Sequence, residues 1–179
     1  MALIHVHCYV LCVGRTKIKL LLNSCTLLLS SISIFLYAAE NSVLGHWLTP
    51  QAVLVETKLC GQEICGTVIH IFLEEGQDPN EILDDQNKDP LLKTRPLIGI
   101  DLLEGFGAQS VSSKKFTRGR IYNPNDGKTY KANLELLENG NMIVEGCLFV
   151  FCRDEEWRSV KIKHNQDGSR YLEFRQDDS

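Results

Sequence analysis

From residue 40 onward the sequence keeps returning to one local pattern, a short run alternating apolar and polar residues and then a tight turn. Strands with one buried face read this way, because successive side chains point to opposite faces. Val53, Val55, Thr57 and Leu59 stand opposite Glu56 and Lys58 in the run Ala52 to Leu59. Gly66 to Leu73 is β-branched and aromatic, and Leu97 to Phe106 places Ile98, Ile100, Leu102 and Phe106 on one face. Arg120 to Tyr122 leads into Asn123-Pro124-Asn125-Asp126-Gly127, a turn set by the fixed φ of Pro and the permissive φ of Gly. Lys128 to Leu137 alternates again, with Tyr130, Ala132, Leu134 and Leu136 inward, and ends at the hairpin signal Asn139-Gly140. Met142, Val144, Gly146, Leu148 and Val150 continue the inner face, and Glu156–Lys163 and Tyr171–Phe174 supply the last strands. Consecutive hairpins imply an antiparallel meander whose edges vanish on closure. The expected fold is all-β, an antiparallel up-and-down barrel of about eight strands; a two-sheet sandwich is the alternative.

The first 39 residues have a different character. Their only charges are Arg15, Lys17 and Lys19, followed by uncharged sequence from Leu20 to Ala39 that ends in Tyr37-Ala38-Ala39. A basic start, an apolar centre and a small-residue end describe an N-terminal extension plus a secretory signal peptide. An uncleaved anchor is the alternative, and both place residues 40–179 outside the cytoplasm as a single domain. The three basic residues before residue 40 leave 16 against 23 acidic ones, a formal charge of -7 for the exported part. Such a balance disfavours nucleic acid, and it limits membrane contact to an uncleaved signal segment.

Four cysteines remain after residue 40: Cys60, Cys65, Cys147 and Cys152. In an exported chain an even number reads as disulfides, with three possible connectivities. Both close pairs have four intervening residues, which favours Cys60–Cys65 and Cys147–Cys152. A four-thiolate zinc site is the rival, at the edge of the allowed ligand spacing.

One stretch breaks the β pattern. Glu74 to Pro96 is polar, acidic and long for a hairpin loop, with a helix start at Asp78-Pro79-Asn80-Glu81. It reads either as a lid over the barrel mouth or as a solvated connection. Asp84, Asp85 and Asp89 lack the Gly and Glu pattern of a calcium loop and read as solvated. His46, His70 and His164 have no metal-ligand spacing, and Ser110, Ser112 and Ser113 lack a nucleophile elbow. No catalytic, metal or cofactor site is expected.

Several motifs together resemble a family of small exported bacterial proteins catalogued as a domain of unknown function, DUF2147. They are Gly45-His46-Trp47, Leu59-Cys60 through Cys65-Gly66, Asn87-Lys88-Asp89-Pro90 and Arg95-Pro96-Leu97-Ile98-Gly99. Gly119 to Pro124, Asp126 to Tyr130, Gly146-Cys147 and Trp157-Arg158 complete the set. The resemblance implies a lipocalin-like (calycin) barrel and leaves activity open. Such barrels carry Gly-x-Trp on the first strand with a late Arg stacked on the Trp, which makes Gly45, Trp47 and Arg158 the structural candidates here. Arg158 directly follows Trp157, whereas the family Arg is spaced two residues on, so the contact falls to Lys161 or is absent.

The functional expectation is a non-enzymatic, periplasmic or secreted barrel holding a small apolar molecule, without a cofactor. Strand parity nominates Trp47, Val55, His70, Ile100, Phe106, Tyr122, Tyr130 and Leu134 as its lining, with Tyr122 and Tyr130 near each other across a hairpin. The alternative is a cell-envelope interaction module with a filled barrel and Glu74–Pro96 as its contact surface.

Overall fold

A computed structural model of the protein describes residues 42–108 and 113–174. The expected extension and signal peptide, and Ser110 and Ser112, lie outside the described residues. Nine strands follow in order: β1 (Gly45–Leu48), β2 (Val53–Cys60), β3 (Glu63–Ile71), β4 (Asp101–Gly107) and β5 (Lys115–Asn123). They continue with β6 (Lys128–Leu136), β7 (Met142–Leu148), β8 (Phe151–His164) and β9 (Arg170–Phe174). Each strand pairs antiparallel with the next, and β1 also pairs with β8 through Trp47 opposite Ser159. Strands β1 to β8 therefore close an up-and-down barrel, and β9 extends the sheet from the far half of β8.

The inner face is packed with the apolar residues of the alternating runs. Trp47, Val55, Ile64, Val68, Leu103, Phe106, Leu134, Met142 and Trp157 belong to one buried cluster. The first strand is anchored by a polar contact inside it. Trp47 Nε1 donates to Thr57 Oγ1 at 2.8 Å, and that hydroxyl donates in turn to the Val43 carbonyl. A buried indole N–H without a partner would cost about 1–3 kcal/mol, so Thr57 fixes which Trp orientation is tolerated.

Register breaks explain where simple alternation fails. Between Leu54 and Val55 the pairing of β2 with β3 slips by one residue, placing His70 opposite Leu54 on the outer face. His70 there meets Phe72 edge-on, with ring centroids 4.6 Å apart, rather than the barrel interior. On β4, Leu103 pairs with Gly66 and Phe106 with Ile64, so two residues three apart share the inner face. Gly105, at φ 77°, supplies the bulge. Gly119 gives Phe106 its room, since a Cβ there would lie 2.3 Å from the ring.

Other expectations need correction. The helix start at Asp78 is only a 3-10 turn over Pro79–Glu81, with the Asp78 carboxylate accepting from the Asn80 amide at 2.8 Å. As its place next to Trp157 implies, Arg158 faces the other side of the strand, where its guanidinium lies 4.2 Å from the Phe174 ring centre. β7 stops at Leu148, so Val150 is in a turn and not on the inner face. Cys60–Cys65 and Cys147–Cys152 form two separate disulfides, each closing a hairpin, which leaves no set of four thiolates for zinc.

Candidate functional site

Most of residues 74–96 are exposed, as in a solvated connection, but Asp84 and Asn87 are buried and tie the segment to the sheet. The segment folds back on itself, with the Leu97 amide donating to the Ile82 carbonyl at 2.8 Å and Asp84 to Arg95 at 3.0 Å. It then lies against β5, where Asp84 and Asn87 meet the Tyr122 hydroxyl. Ile82, Leu97, Ile98 and Tyr122 pack on the core cluster.

A buried carboxylate holds the segment there. Asp84 is 0% exposed, which would be costly for an unpaired charge. Tyr122 donates its hydroxyl to one Asp84 oxygen. The other oxygen accepts from Asn87 Nδ2 at 2.7 Å and from Arg95 Nε and Nη2 at 3.0 and 2.8 Å. Asn87 Nδ2 also donates to the Tyr122 oxygen at 2.9 Å, joining all four side chains. Burial alone would raise the Asp84 pKa, but hydrogen bonds from Tyr122, Asn87 and Arg95 and the Arg95 charge outweigh it and hold the carboxyl below its ordinary value. The Tyr122 phenol is pushed up to about 12, by burial first and then by the Asp84 hydrogen bond and charge.

The β5–β6 turn completes the seat. Gly127 adopts φ 64°, and a Cβ on it would lie 1.9 Å from the Gln86 carbonyl oxygen. Only glycine lets the turn and the segment approach this closely. Between them lies a cleft of about 670 Å³. Asn87, Arg95, Pro96, Ile98, Gly99 and Ile100 form one wall; Asp101, Glu104, Tyr122, Gly127 and Thr129 form the other. Arg95 spends Nε and Nη2 on Asp84, so its Nη1 is left to meet a ligand oxygen. The Glu104 carboxylate accepts from Arg120 Nε at 3.0 Å, and Asp101 from Thr67 Oγ1 at 2.5 Å. Polar groups thus dominate an open concave surface to which Ile98 and Ile100 also contribute.

The structure divides the nominated lining residues among three places. Trp47, Val55, Phe106 and Leu134 are buried against one another in the core, and Ile100 belongs both to that core and to the cleft. Tyr122 lines the cleft, on the opposite face from Tyr130: Tyr122 pairs with Thr129, and Tyr130 with Ile121. The two tyrosines are therefore not partners across the hairpin. Tyr130 instead donates its hydroxyl to Asp126, whose acceptance of that proton raises the phenol pKa. His70 is on the outer face, away from both. Asp84, Asn87, Arg95 and Thr129 were not nominated, although Asn87, Arg95 and Thr129 fall within the family-like motifs. Asp84 is also not the solvated acid its polar surroundings imply, and Asp89 caps a second 3-10 turn at the Leu91 amide.

No match is found among curated proteins. Among solved structures the fold resembles protein HP1028 from the human pathogen Helicobacter pylori, described as belonging to the lipocalin family. The superposition has a TM-score of 0.57 at 20% identity and covers 66% of this chain and 83% of that one. This likeness concerns the fold. Residues 45–159 match the family model described as an uncharacterized protein conserved in bacteria, DUF2147, and with that share of its length matched the chain belongs to this family.

Proposed function

We propose that the protein is an exported, non-enzymatic lipocalin-like binding protein, and that it seats a small molecule in the cleft between residues 87–100 and the β4–β6 face. The supporting observation is the cleft itself. Its volume of about 670 Å³ falls in the size range of small-molecule sites, and the Asp84 network ties Asn87, Arg95 and Tyr122 of its lining together. This moves the expected site from the barrel interior, which Trp47, Val55, Phe106 and Leu134 fill, to its outer face, and gives the small apolar ligand a polar end. An apolar portion rests on Pro96 and Ile98, and a polar end meets Arg95 Nη1 and Thr129. Two disulfides suit a periplasmic or secreted location, where thiols oxidise.

Thr129 is exposed on the cleft wall, so Thr129→Trp fills the site without disturbing the core. An environment-sensitive amphipathic dye such as an anilinonaphthalene sulfonate should brighten on the wild-type protein, and Thr129→Trp should reduce this at unchanged melting temperature. Equal dye binding by the two proteins contradicts the assignment.

A further inference from the structure

The β7–β8 hairpin ends in Cys147-Leu148-Phe149-Val150-Phe151-Cys152, four consecutive apolar residues between two bonded cysteines. All four are on display: Leu148 is 51% exposed, Phe149 93%, Val150 84% and Phe151 80%. Scattered exposed apolar side chains are ordinary, but a continuous apolar tip with no polar side chain is not.

The backbone makes this more pointed. Phe149 occupies φ 55°, the left-handed region that Gly or Asn adopts cheaply and an aromatic residue does not. Turn geometry alone would select a different residue at this position. The disulfide and the Leu148–Phe151 pairing beneath keep the tip from folding back to bury its own side chains.

We propose that this tip is a membrane-docking finger that enters the interfacial zone of a lipid bilayer. A protein pocket would have to complement a convex knob that is apolar on every side, whereas hydrocarbon accepts all directions equally. Pairing across the hairpin satisfies much of the backbone, as entry into a low-dielectric phase requires. Lys131 stands opposite Cys147, level with the disulfide, and Arg153 opposite Gly146, one rung further from the tip, so cations flank its base where lipid phosphates would meet them. Glu145 and Asp154 pair on the next rung, so insertion rather than net charge drives binding. In an up-and-down barrel alternate turns share an end, which places the finger at the same end as the β5–β6 turn beside the cleft. The proposal revises the expectation that membrane contact is confined to the N-terminal segment.

The test uses the protein purified from its host in the form the cell makes. Wild type, Phe149→Asn and the double variant Phe149→Asn/Phe151→Thr are cosedimented with vesicles of phosphatidylcholine alone, and of phosphatidylcholine and phosphatidylglycerol in equal parts. Asn suits φ 55°, so the first variant preserves the turn, and an unchanged melting temperature confirms folding. The wild type should bind both vesicle types and resist added salt. Phe149→Asn should weaken partitioning about tenfold, and the double variant should approach background. Phe149→Trp should show blue-shifted emission on vesicles and quenching by brominated acyl chains. Variants that bind as well as wild type overturn the proposal. So does a tip that drives only self-association in ultracentrifugation, or an indole emission from Phe149→Trp that lipid leaves unchanged.

Discussion

The barrel interior and the flank built by residues 74–100 are held by opposite physics. Inside, Trp47, Phe106, Leu134, Met142 and Trp157 exclude water from one another, and the stabilisation is spread over many non-directional contacts. On the flank a single fully buried carboxylate collects hydrogen bonds from Tyr122, Asn87 and Arg95. Apolar packing tolerates small changes of shape anywhere and fails in proportion to the volume removed. A converging polar network fails at one residue. The fold therefore rests on the interior, and the cleft rests on the flank.

Perturbing each region in turn sharpens this contrast. The largest effect belongs to the core: Leu134→Ala should cost about 2–5 kcal/mol and lower a single cooperative unfolding transition in urea. Asp84→Ala should be smaller globally, about 1–3 kcal/mol, because Arg95 can turn to water. Its signature is local, with amide exchange accelerating in residues 82–100 while β6 and β7 stay protected; uniform acceleration would erase the distinction between the regions. Gly127→Ala should act the same way by about 1–2 kcal/mol, since the new methyl group meets the Gln86 carbonyl and strains a left-handed φ.

The gentlest perturbation is pH. The Asp84 pKa is depressed by folding, so its stabilisation is complete above the unfolded value of about 3.9 and is lost as pH falls through the lower folded value. The Tyr122 pKa is raised, so its contribution is complete below about 10. That contribution is lost as pH rises through about 12. Flank protection factors, corrected for intrinsic exchange, should therefore fall at both extremes, and Tyr122→Phe should remove the alkaline limb. An alkaline limb that survives Tyr122→Phe would assign the titration to another group.

The two regions also differ in how openly the sequence declares them. β6 and its Asn139-Gly140 turn were legible because alternation and turn chemistry are both local signals; the structure closes that turn with Leu137 N to Asn141 O at 2.8 Å. The disulfides were legible from equal spacing. Parity went wrong at His70 because a one-residue slip between Leu54 and Val55 reverses the face and leaves no mark in composition. The β7–β8 turn was missed because Phe149 and Val150 carry no turn signal. The flank was missed for another reason: Asp84 meets Tyr122 across 38 residues of sequence, and an acid in a polar run looks solvated until its partners are in place.

Native mass spectrometry of the protein taken from its host tests the central claim most directly. Wild-type barrel should fly with a discrete small-molecule mass excess, retained on gentle activation, and Thr129→Trp should carry none. Identical bare masses for both, or the same adduct surviving in Thr129→Trp, would mean that the cleft beside Arg95 is not where this protein holds a ligand.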